Sequence, residues 1–368
     1  MPHSIDEAFT ALPLRSLADA VDASLLTVHE NKFYADTAGT VTTQQRVRLH
    51  PVFTAVSVDE SSGEFESMRT LAPPVGRGWE YLRGTGWDWD DELARIPELL
   101  AEKMRAPSVE PGLYDLVIDP SNLWLTIHES IGHATELDRA LGYEAAYAGT
   151  SFATFDQLGK LRYGSELMNV TGDRTAEHGL ATIGYDDEGV EAQSWDLVKD
   201  GVLVGYQLDR RIARLTGFER SNGCAYADSP AHVPVQRMAN VSLQPDPAGM
   251  STEDLIGSVD RGIYGVGDRS WSIDMQRYNV YHIDQKPATC TNTDGRRPIS
   301  AQTQYRCIGY AASSSSRDTR RGASILPRND VRSPASCSPR ASDPRLKALV
   351  VRCPYTCSVV RVSRCPIH

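Results

Sequence analysis

Residues 114–133 read YDLVIDPSNLWLTIHESIGH and predict, in order, a buried strand, a turn and a helix. The apolar run that begins at Tyr114 is typical of a strand, and Pro120 to Asn122 marks a turn in which Ser121 is able to cap the helix. Apolar residues then anchor one side of that helix. The segment therefore predicts a rigid strand–turn–helix unit within a mixed α and β fold.

Two histidines and one glutamate stand at the end of this unit: His128, Glu129 and His133. Imidazole nitrogens are ligands that zinc prefers, and a carboxylate beside a ligand is able to act as a general base. The alternatives are that the histidines are hydrogen-bonded core residues or that they lie on a solvated helix face. The rigid context favours a metal site.

The spacing of the two histidines excludes chelation from a regular α-helix. Five residues turn the helix by about 500°, which leaves the two side chains about 140° apart. A single π-helical turn, with about 4.4 residues, brings them within about 50° of each other, and such turns are frequent at functional sites. We therefore expect a π turn here, which Gly132 makes easier to form.

Four more side chains are candidates for completing the site. Glu136 lies about one turn beyond His133 and is either a hydrogen-bond partner that fixes the tautomer of a ligand imidazole or a surface carboxylate. Cys224, His178 and His232 have the chemistry of a third ligand, but a structural role is favoured for each of them.

Overall composition is that of a globular chain with two domains: it has 368 residues, of which 40% are hydrophobic. No window approaches about eighteen uninterrupted apolar residues, and the N-terminus has no basic region followed by an apolar stretch. We therefore expect a cytoplasmic protein with neither a transmembrane helix nor a secretory signal. The net charge of −10 argues against general nucleic-acid binding.

The composition changes abruptly near Val280. Residues 281–368 hold 15 of the 38 Lys and Arg but only 5 of the 48 Asp and Glu, so this tail carries a charge of +10. It holds six of the seven cysteines and no Trp, Phe or Glu. The tail is a disordered nucleic-acid-binding arm, a segment with disulfides or zinc, or an out-of-frame translation. The loss of Glu, Phe and Trp favours the out-of-frame interpretation.

Several other segments carry clear local signals. Residues 25–58 predict strands with turns, and residues 93–105 predict a helix with an acidic start. Residues 195–208 predict a hairpin that turns at Asp200-Gly201. A helix is predicted over 209–215, with Gly217 ending it, and Ser251 with Asp254 predicts a capping box.

The motif and its surroundings resemble the TldD/PmbA metalloproteases. The nine residues from His128 to Glu136 are similar to the HExxxH signature of that family, and the similarity extends from Ala35 to Asn279. It includes four further segments: Ile183 to Val190, Gly205 to Asp209, Pro234 to Asn240 and Arg261 to Tyr264.

The resemblance implies an α+β fold in four parts. These are a partial α/β N-terminal domain (1–86), a helical linker region (87–112), an incomplete, strand-rich C-terminal metalloprotease domain (113–280) and an atypical basic, disordered tail (281–368). Most of the family's N-terminal domain is missing before Leu25. The family's metal-binding cysteine, far toward the C-terminus, has no recognisable counterpart among the tail cysteines.

The resemblance also implies a zinc-dependent peptidase that hydrolyses short or unfolded peptides. In this interpretation His128 and His133 bind Zn²⁺, and Glu129 is the general base. The chain is expected to form a homo- or hetero-oligomer with another subunit of the family. The alternatives are an inactive remnant, a non-catalytic partner subunit and, less favoured, a nucleic-acid binder that uses the basic tail.

Overall fold

The computed structural model describes residues 19–107, 112–247, 249–259, 262–274, 279–284, 288–291, 297–299, 304–308 and 360–367. Most of the predicted out-of-frame, disordered tail (281–368) lies outside these ranges. In the part of the chain that is described, no helix is both long and apolar enough to cross a membrane.

The N-terminal part of the chain is an antiparallel sheet covered by one helix. Strands β1 (Ala20–Ala35), β2 (Val41–Val58) and β3 (Phe65–Arg69) lie in the order β1-β2-β3. Helix α1 (Trp89–Arg105) follows a short 3-10 turn and is capped by Asp88, whose side chain accepts a hydrogen bond from the amide of Asp91. The helix and the sheet share one buried core, which contains Leu49, Ala55, Met68, Tyr81, Leu93, Ile96 and Leu100.

A strand–turn–helix unit comes next, as the sequence predicts. Strand β4 (Gly112–Ile118) leads into helix α2 (Pro120–Ile127). The predicted cap, Ser121, is wrong: Asp119 has the extended backbone of a cap residue and accepts the amide hydrogen of Ser121, because Pro120 takes the first helical position. The Ser121 hydroxyl instead accepts the amide hydrogen of Gly267.

The helix then changes pitch twice before a long, mostly irregular segment. A π-helical turn (His128–Gly132) is followed by a 3-10 turn (His133–Thr135) and by the short helix α3 (Leu137–Ala140). A four-stranded antiparallel sheet in the order β10-β5-β6-β7 packs nearby. Its strands are β5 (Val170–Asp173), β6 (Ser194–Lys199), β7 (Val202–Leu203) and β10 (Asn240–Leu243).

The last strands of the chain, from β11 (Gly262–Gly265) onward, extend the sheet that contains β4, and helices and strands of other parts of the fold come before them. Helix α4 (Arg210–Thr216) and the pair β8 (Ala225–Tyr226) and β9 (Val235–Gln236) precede helix α5 (Thr252–Gly257). Strand β11 pairs in parallel with β4. In the part of the chain that the structure describes, six further strands join this sheet: β12 (Asp268–Asp274), β13 (Asn279–Asp284), β14 (Ala288–Thr291), β15 (Arg297–Ile299), β16 (Gln304–Ile308) and β17 (Val360–Ile367). The order of its eight described strands is β12-β13-β16-β17-β4-β11-β14-β15.

A second core holds the motif-bearing segment in place. It joins β4, α2 and the π turn to the strands around β6 and to helix α4 through Leu116, Leu123, Ile131, Leu137, Leu197, Leu203, Tyr206 and Ile212. The π turn therefore has one face against a packed interior.

The predicted α+β class, with a strand-rich C-terminal part, is confirmed. The hairpin turn at Asp200-Gly201 is confirmed by the positive φ of both residues, and the capping box of Ser251 with Asp254 is present in full. The division into domains stays a prediction; in the structure, α1 packs on the N-terminal sheet.

Candidate metal centre

The π turn brings the two histidines of the motif onto one side of the helix. The amide of His133 donates its hydrogen bond to the carbonyl of His128, five residues earlier. The two imidazole rings lie with their centroids 4.5 Å apart and their planes nearly perpendicular. The predicted π turn is therefore confirmed, and with it the reason that histidines five residues apart are able to face one point.

Glu129 completes a cluster of three potential ligands. One nitrogen from each of His128 and His133 and one oxygen of Glu129 lie within 4.8 Å of one another. The Nε2 atom of His128 is 3.7 Å from Oε1 of Glu129. Among the residues that the structure describes, no other group of three or more His, Cys, Asp or Glu side chains has a comparable arrangement.

The protonation of this cluster suits a cation. Partial burial, together with the neighbouring His133, lowers the pKa of His128 to about 4, so its ring is neutral near pH 7 and its nitrogen lone pair is free. Burial also raises the pKa of Glu129 above its usual range, although His133 and Arg139 offset part of that rise. A carboxylate with a raised pKa is a better proton acceptor.

Glu136 lies beside the second histidine and is buried. Its Oε2 atom is 2.7 Å from Nδ1 of His133, and a carboxylate in this position favours the tautomer with the proton on Nδ1, which leaves Nε2 to bind a metal. The alternative of a surface carboxylate is wrong, because Glu136 is only 3% exposed. The Nη2 atom of Arg139 lies 3.1 Å from the same Oε2 atom and 3.2 Å from Nδ1 of His133, so it contacts both partners.

The other three candidate ligands lie elsewhere. Cys224 is buried, and its pKa is raised to about 11 by burial. His178 contacts the carbonyl of Gly76, and His232 pairs with Asp228. None of the three belongs to the cluster, and the tail cysteines Cys337, Cys353 and Cys357 lie outside the described residues.

Two residues that support the motif are absent from the sequence-based prediction. Arg139 stands three residues after Glu136, and this spacing of opposite charges on a helix was the available signal. Gln207 is 75 residues from the motif, and its Nε2 atom donates a hydrogen bond to the carbonyl of Gly132 at 2.7 Å. No local pattern marks that contact.

The residues of the cluster fit a zinc ion. Two imidazoles form a donor pair that zinc accepts, a carboxylate lies beside them, and the Glu136 contact is the outer-sphere hydrogen bond that metal-binding histidines usually make. Fold and cluster together define a class: α+β domains that carry an HExxxH turn, with a candidate metal cluster, on a helix packed against a sheet.

Comparisons with known proteins agree with this class. Residues 111–277 match the model of the PmbA/TldA metallopeptidase C-terminal domain. The metalloprotease TldD homologue of Haemophilus influenzae is 31% identical over 66% of this chain and 48% of its own length. The zinc metalloprotease TldD homologue of Saccharolobus solfataricus is 25% identical over 48% of this chain and 38% of its own. The chain thus spans less than half the length of these relatives.

A solved structure shows the same fold. The crystal structure of TldE from Thermococcus kodakarensis superposes with a TM-score of 0.63 at 15% identity, over 94% of this chain and 68% of that chain. The segment 111–277 therefore belongs to the TldD/PmbA family, and the relatives named above are metalloproteases by name.

Proposed function

We propose that this chain is a zinc-dependent peptidase that hydrolyses short or unfolded peptides through its HExxxH turn. The observation that supports this most directly is the convergence of His128, Glu129 and His133 on one π turn, with ligand atoms within 4.8 Å of one another. The relative named a zinc metalloprotease supports the choice of zinc.

Each residue of the turn has a defined role in the proposal. His128 and His133 hold the ion, and Glu136 keeps the proton of His133 on Nδ1. Zinc, when bound, supplies Lewis-acid polarisation of a peptide carbonyl and lowers the pKa of water. Glu129 takes the proton of the attacking water and passes it to the leaving amine nitrogen, a task for which its raised pKa is suited.

Replacement of Glu129 by Gln tests this assignment. General base catalysis is worth about 10²- to 10⁴-fold, so we expect Glu129→Gln to lower kcat on an unstructured peptide by at least about 100-fold. The zinc content, measured by elemental analysis, should stay at one ion per chain. The matched control is Glu177→Gln, which removes a carboxylate that is 88% exposed and lies outside the cluster.

Two outcomes would contradict the proposal. Retained peptidase activity in Glu129→Gln would exclude this residue as the base. Absence of zinc from the unmodified chain, after purification in zinc-containing buffer, would leave only the alternatives of an inactive remnant or a non-catalytic subunit.

A folded protein substrate, assayed beside the peptide, tests the preference for unstructured chains, because we expect cleavage of the peptide alone.

We also propose that the chain assembles with a subunit of its own family. Support comes from the fold that it shares with TldE. Co-expression with a tagged TldD/PmbA family subunit, followed by affinity purification and size-exclusion chromatography, would detect the complex, and a monomer at all concentrations would contradict it.

A further inference from the structure

A glutamine that forms an isolated bridge with Glu136 contacts the metal-binding turn at the point where its helical pitch changes. We propose that Gln207 is a positioning residue that sets the geometry of the two histidines, an inference that rests on the proposed metal-binding function. Gln207 is fully buried, and its side-chain hydrogen bonds go to Gly132, Thr135 and Ala239 rather than to the three potential ligands. Its effect must therefore pass through the backbone of the turn.

The side chain of Gln207 has all its polar atoms engaged at once. Its Nε2 atom donates to the carbonyl of Gly132 at 2.7 Å and to the hydroxyl of Thr135 at 3.1 Å. Its Oε1 atom accepts the amide hydrogen of Ala239 at 2.7 Å. One amide group therefore ties the metal-binding turn to a third segment of the chain.

The backbone of the same residue holds the other end of the turn. The amide of Gln207 donates to the carbonyl of Thr135 at 2.8 Å, and its carbonyl accepts the amide hydrogen of Leu137 at 3.0 Å. Side chain and main chain together bracket the residues from Gly132 to Leu137. These residues include His133 and its partner Glu136, so the hydrogen bonds of Gln207 hold both of them in place.

The position of these contacts explains why the turn needs them. The π turn (His128–Gly132) ends where the 3-10 turn (His133–Thr135) begins, and a change of helical pitch interrupts the regular ladder of backbone hydrogen bonds. Gly132 is the last residue before the change. A donor fixed on its carbonyl limits the rotation of the peptide that leads into His133.

The third segment adds a steric limit on the same turn. Met238, which precedes Ala239, lies so close to Gly132 that an added Cβ atom would be 2.5 Å from its sulfur. Because Gln207 binds the amide of Ala239, it also fixes how deeply Met238 packs against the turn. Loss of the Gln207 side chain would release the turn on two sides.

Cobalt binding distinguishes a positioning role from a merely structural one. Co²⁺ replaces zinc in protein sites, and its visible absorption reports the number and arrangement of its ligands. In the full chain we expect Gln207→Met, which keeps the volume but removes both polar functions, to weaken Co²⁺ binding by about tenfold and to alter the spectrum. Outer-sphere changes typically cost about 10- to 100-fold in metal affinity.

Gln207→Glu is the second variant, in case the first does not fold. In its ionised form it accepts from Ala239 but has no proton to donate to the Gly132 carbonyl, so the same weakening and spectral change are expected at a pH at which it is ionised. Asn222→Ala is the matched control, since Asn222 bonds to the backbone of Leu208 and Tyr206, on either side of Gln207, without contact to the motif. We expect it to lower the melting temperature in EDTA and leave Co²⁺ affinity and spectrum unchanged.

Three results would overturn the inference. If a folded Gln207 variant binds Co²⁺ with unchanged affinity and spectrum, Gln207 is structural, while the proposed metal site stands. If Asn222→Ala weakens Co²⁺ binding equally, the effect is general loss of stability. If the unmodified chain binds neither Co²⁺ nor Zn²⁺, the proposed function fails, and the inference fails with it.

Discussion

At the scale of single residues, two buried glutamates of the motif region have different surroundings and therefore different tasks. Glu129 faces the cluster, and burial raises its pKa. Glu136 is bound between His133 and Arg139, with contacts of 2.7 and 3.1 Å, and is occupied in holding an imidazole. His133 and Arg139 are neighbours of both glutamates, but only Glu136 pairs with them directly. This difference in contact suits the two carboxylates to different roles in the proposed function.

Asp138 carries a testable pH dependence of stability. Burial, together with the charge of Glu136, raises its pKa to about 7 in the folded chain, from a usual value of about 3.9. Between about pH 4 and pH 7 the unfolded chain has lost this proton while the folded chain keeps it. The free energy of unfolding therefore falls as pH rises through this window and levels off above it.

Asp138→Asn should remove that part of the dependence. Its amide oxygen is still able to accept from the amide of Arg139, as the carboxylate does at 2.7 Å. We expect the variant to gain stability relative to the unmodified chain as pH rises from 4 to 7, by on the order of 1 to 4 kcal/mol. Urea unfolding in EDTA at several pH values measures the difference, and parallel pH curves for the two proteins would contradict the expectation.

Gly132 has a different role from the predicted one. Its backbone lies in the ordinary right-handed helical region, with φ −53°, so the π turn does not need the conformational freedom of glycine. A side chain is excluded instead by Met238, whose sulfur would lie 2.5 Å from an added Cβ atom. The glycine therefore serves close packing, which only the folded chain reveals.

At the scale of elements, the π turn solves a geometric problem that a regular helix cannot. Five residues per repeat fit neither an α-helix nor a 3-10 helix, and only the wider turn places His128 and His133 side by side. The helix that carries them is anchored at its start by the Asp119 cap and along its length by the second core. Because the cap and the core fix helix α2, the irregular turn that follows the helix is held in one position.

The β6–β7 hairpin gives a prediction at this scale. Its turn residue Gly201 has a φ of 77°, and an added Cβ atom would lie 2.4 Å from the carbonyl oxygen of Ser165. Gly201→Ala therefore combines left-handed strain with a backbone clash, and we expect a loss of about 2 to 5 kcal/mol in the free energy of unfolding.

Gly217→Ala separates the two causes. Gly217 ends helix α4 with a similar φ of 79°, but no atom lies within 4 Å of the added Cβ position. This control should lose only about 1 to 2 kcal/mol. Equal losses for the two variants, measured by urea denaturation, would show that the clash at the hairpin is relieved at no cost.

At the scale of the whole molecule, the long hairpin of β1 and β2 reaches across to a loop of the C-terminal part. The side-chain oxygen of Gln44 accepts the amide hydrogens of Gly184 and Tyr185, both at 2.9 Å. Arg48 donates to the carbonyl of Leu180, and Lys32 to that of Ala227. The two parts are therefore joined by hydrogen bonds to backbone groups, which fix a loop more strictly than contacts between flexible side chains.

Gln44→Ala should loosen this loop. Each lost hydrogen bond is worth about 0.5 to 1.5 kcal/mol, so the amides of Gly184 and Tyr185 should exchange with solvent about 2- to 10-fold faster. Hydrogen exchange followed by mass spectrometry measures the change. Gln45→Ala is the matched control, because Gln45 is exposed and points to the opposite face of β2. Equal exchange in both variants would show that the Gln44 contacts do not hold the loop.

Much of the local structure was predictable from the sequence, because its causes lie within a few residues. The π turn follows from the spacing of two histidines, the hairpin from Asp200-Gly201, and the contact of Glu136 with His133 from one turn of helix. The prediction of Ser121 as the cap failed over the same short range, because the cap lies two residues earlier, at Asp119, and hydrophobic periodicity does not resolve a shift of that size.

The sequence by itself identified the candidate metal-binding residues, the turn that brings them together and the resemblance to a known family. Only the tertiary structure decided that Gln207 bonds to Gly132, that Met238 excludes a side chain there and that Gln44 holds a loop about 140 residues away. The physical reason is the separation along the sequence of the residues that make each contact. Spacing encodes contacts along one helix or hairpin, whereas contacts between distant segments arise from the packing of the whole chain and leave no local pattern.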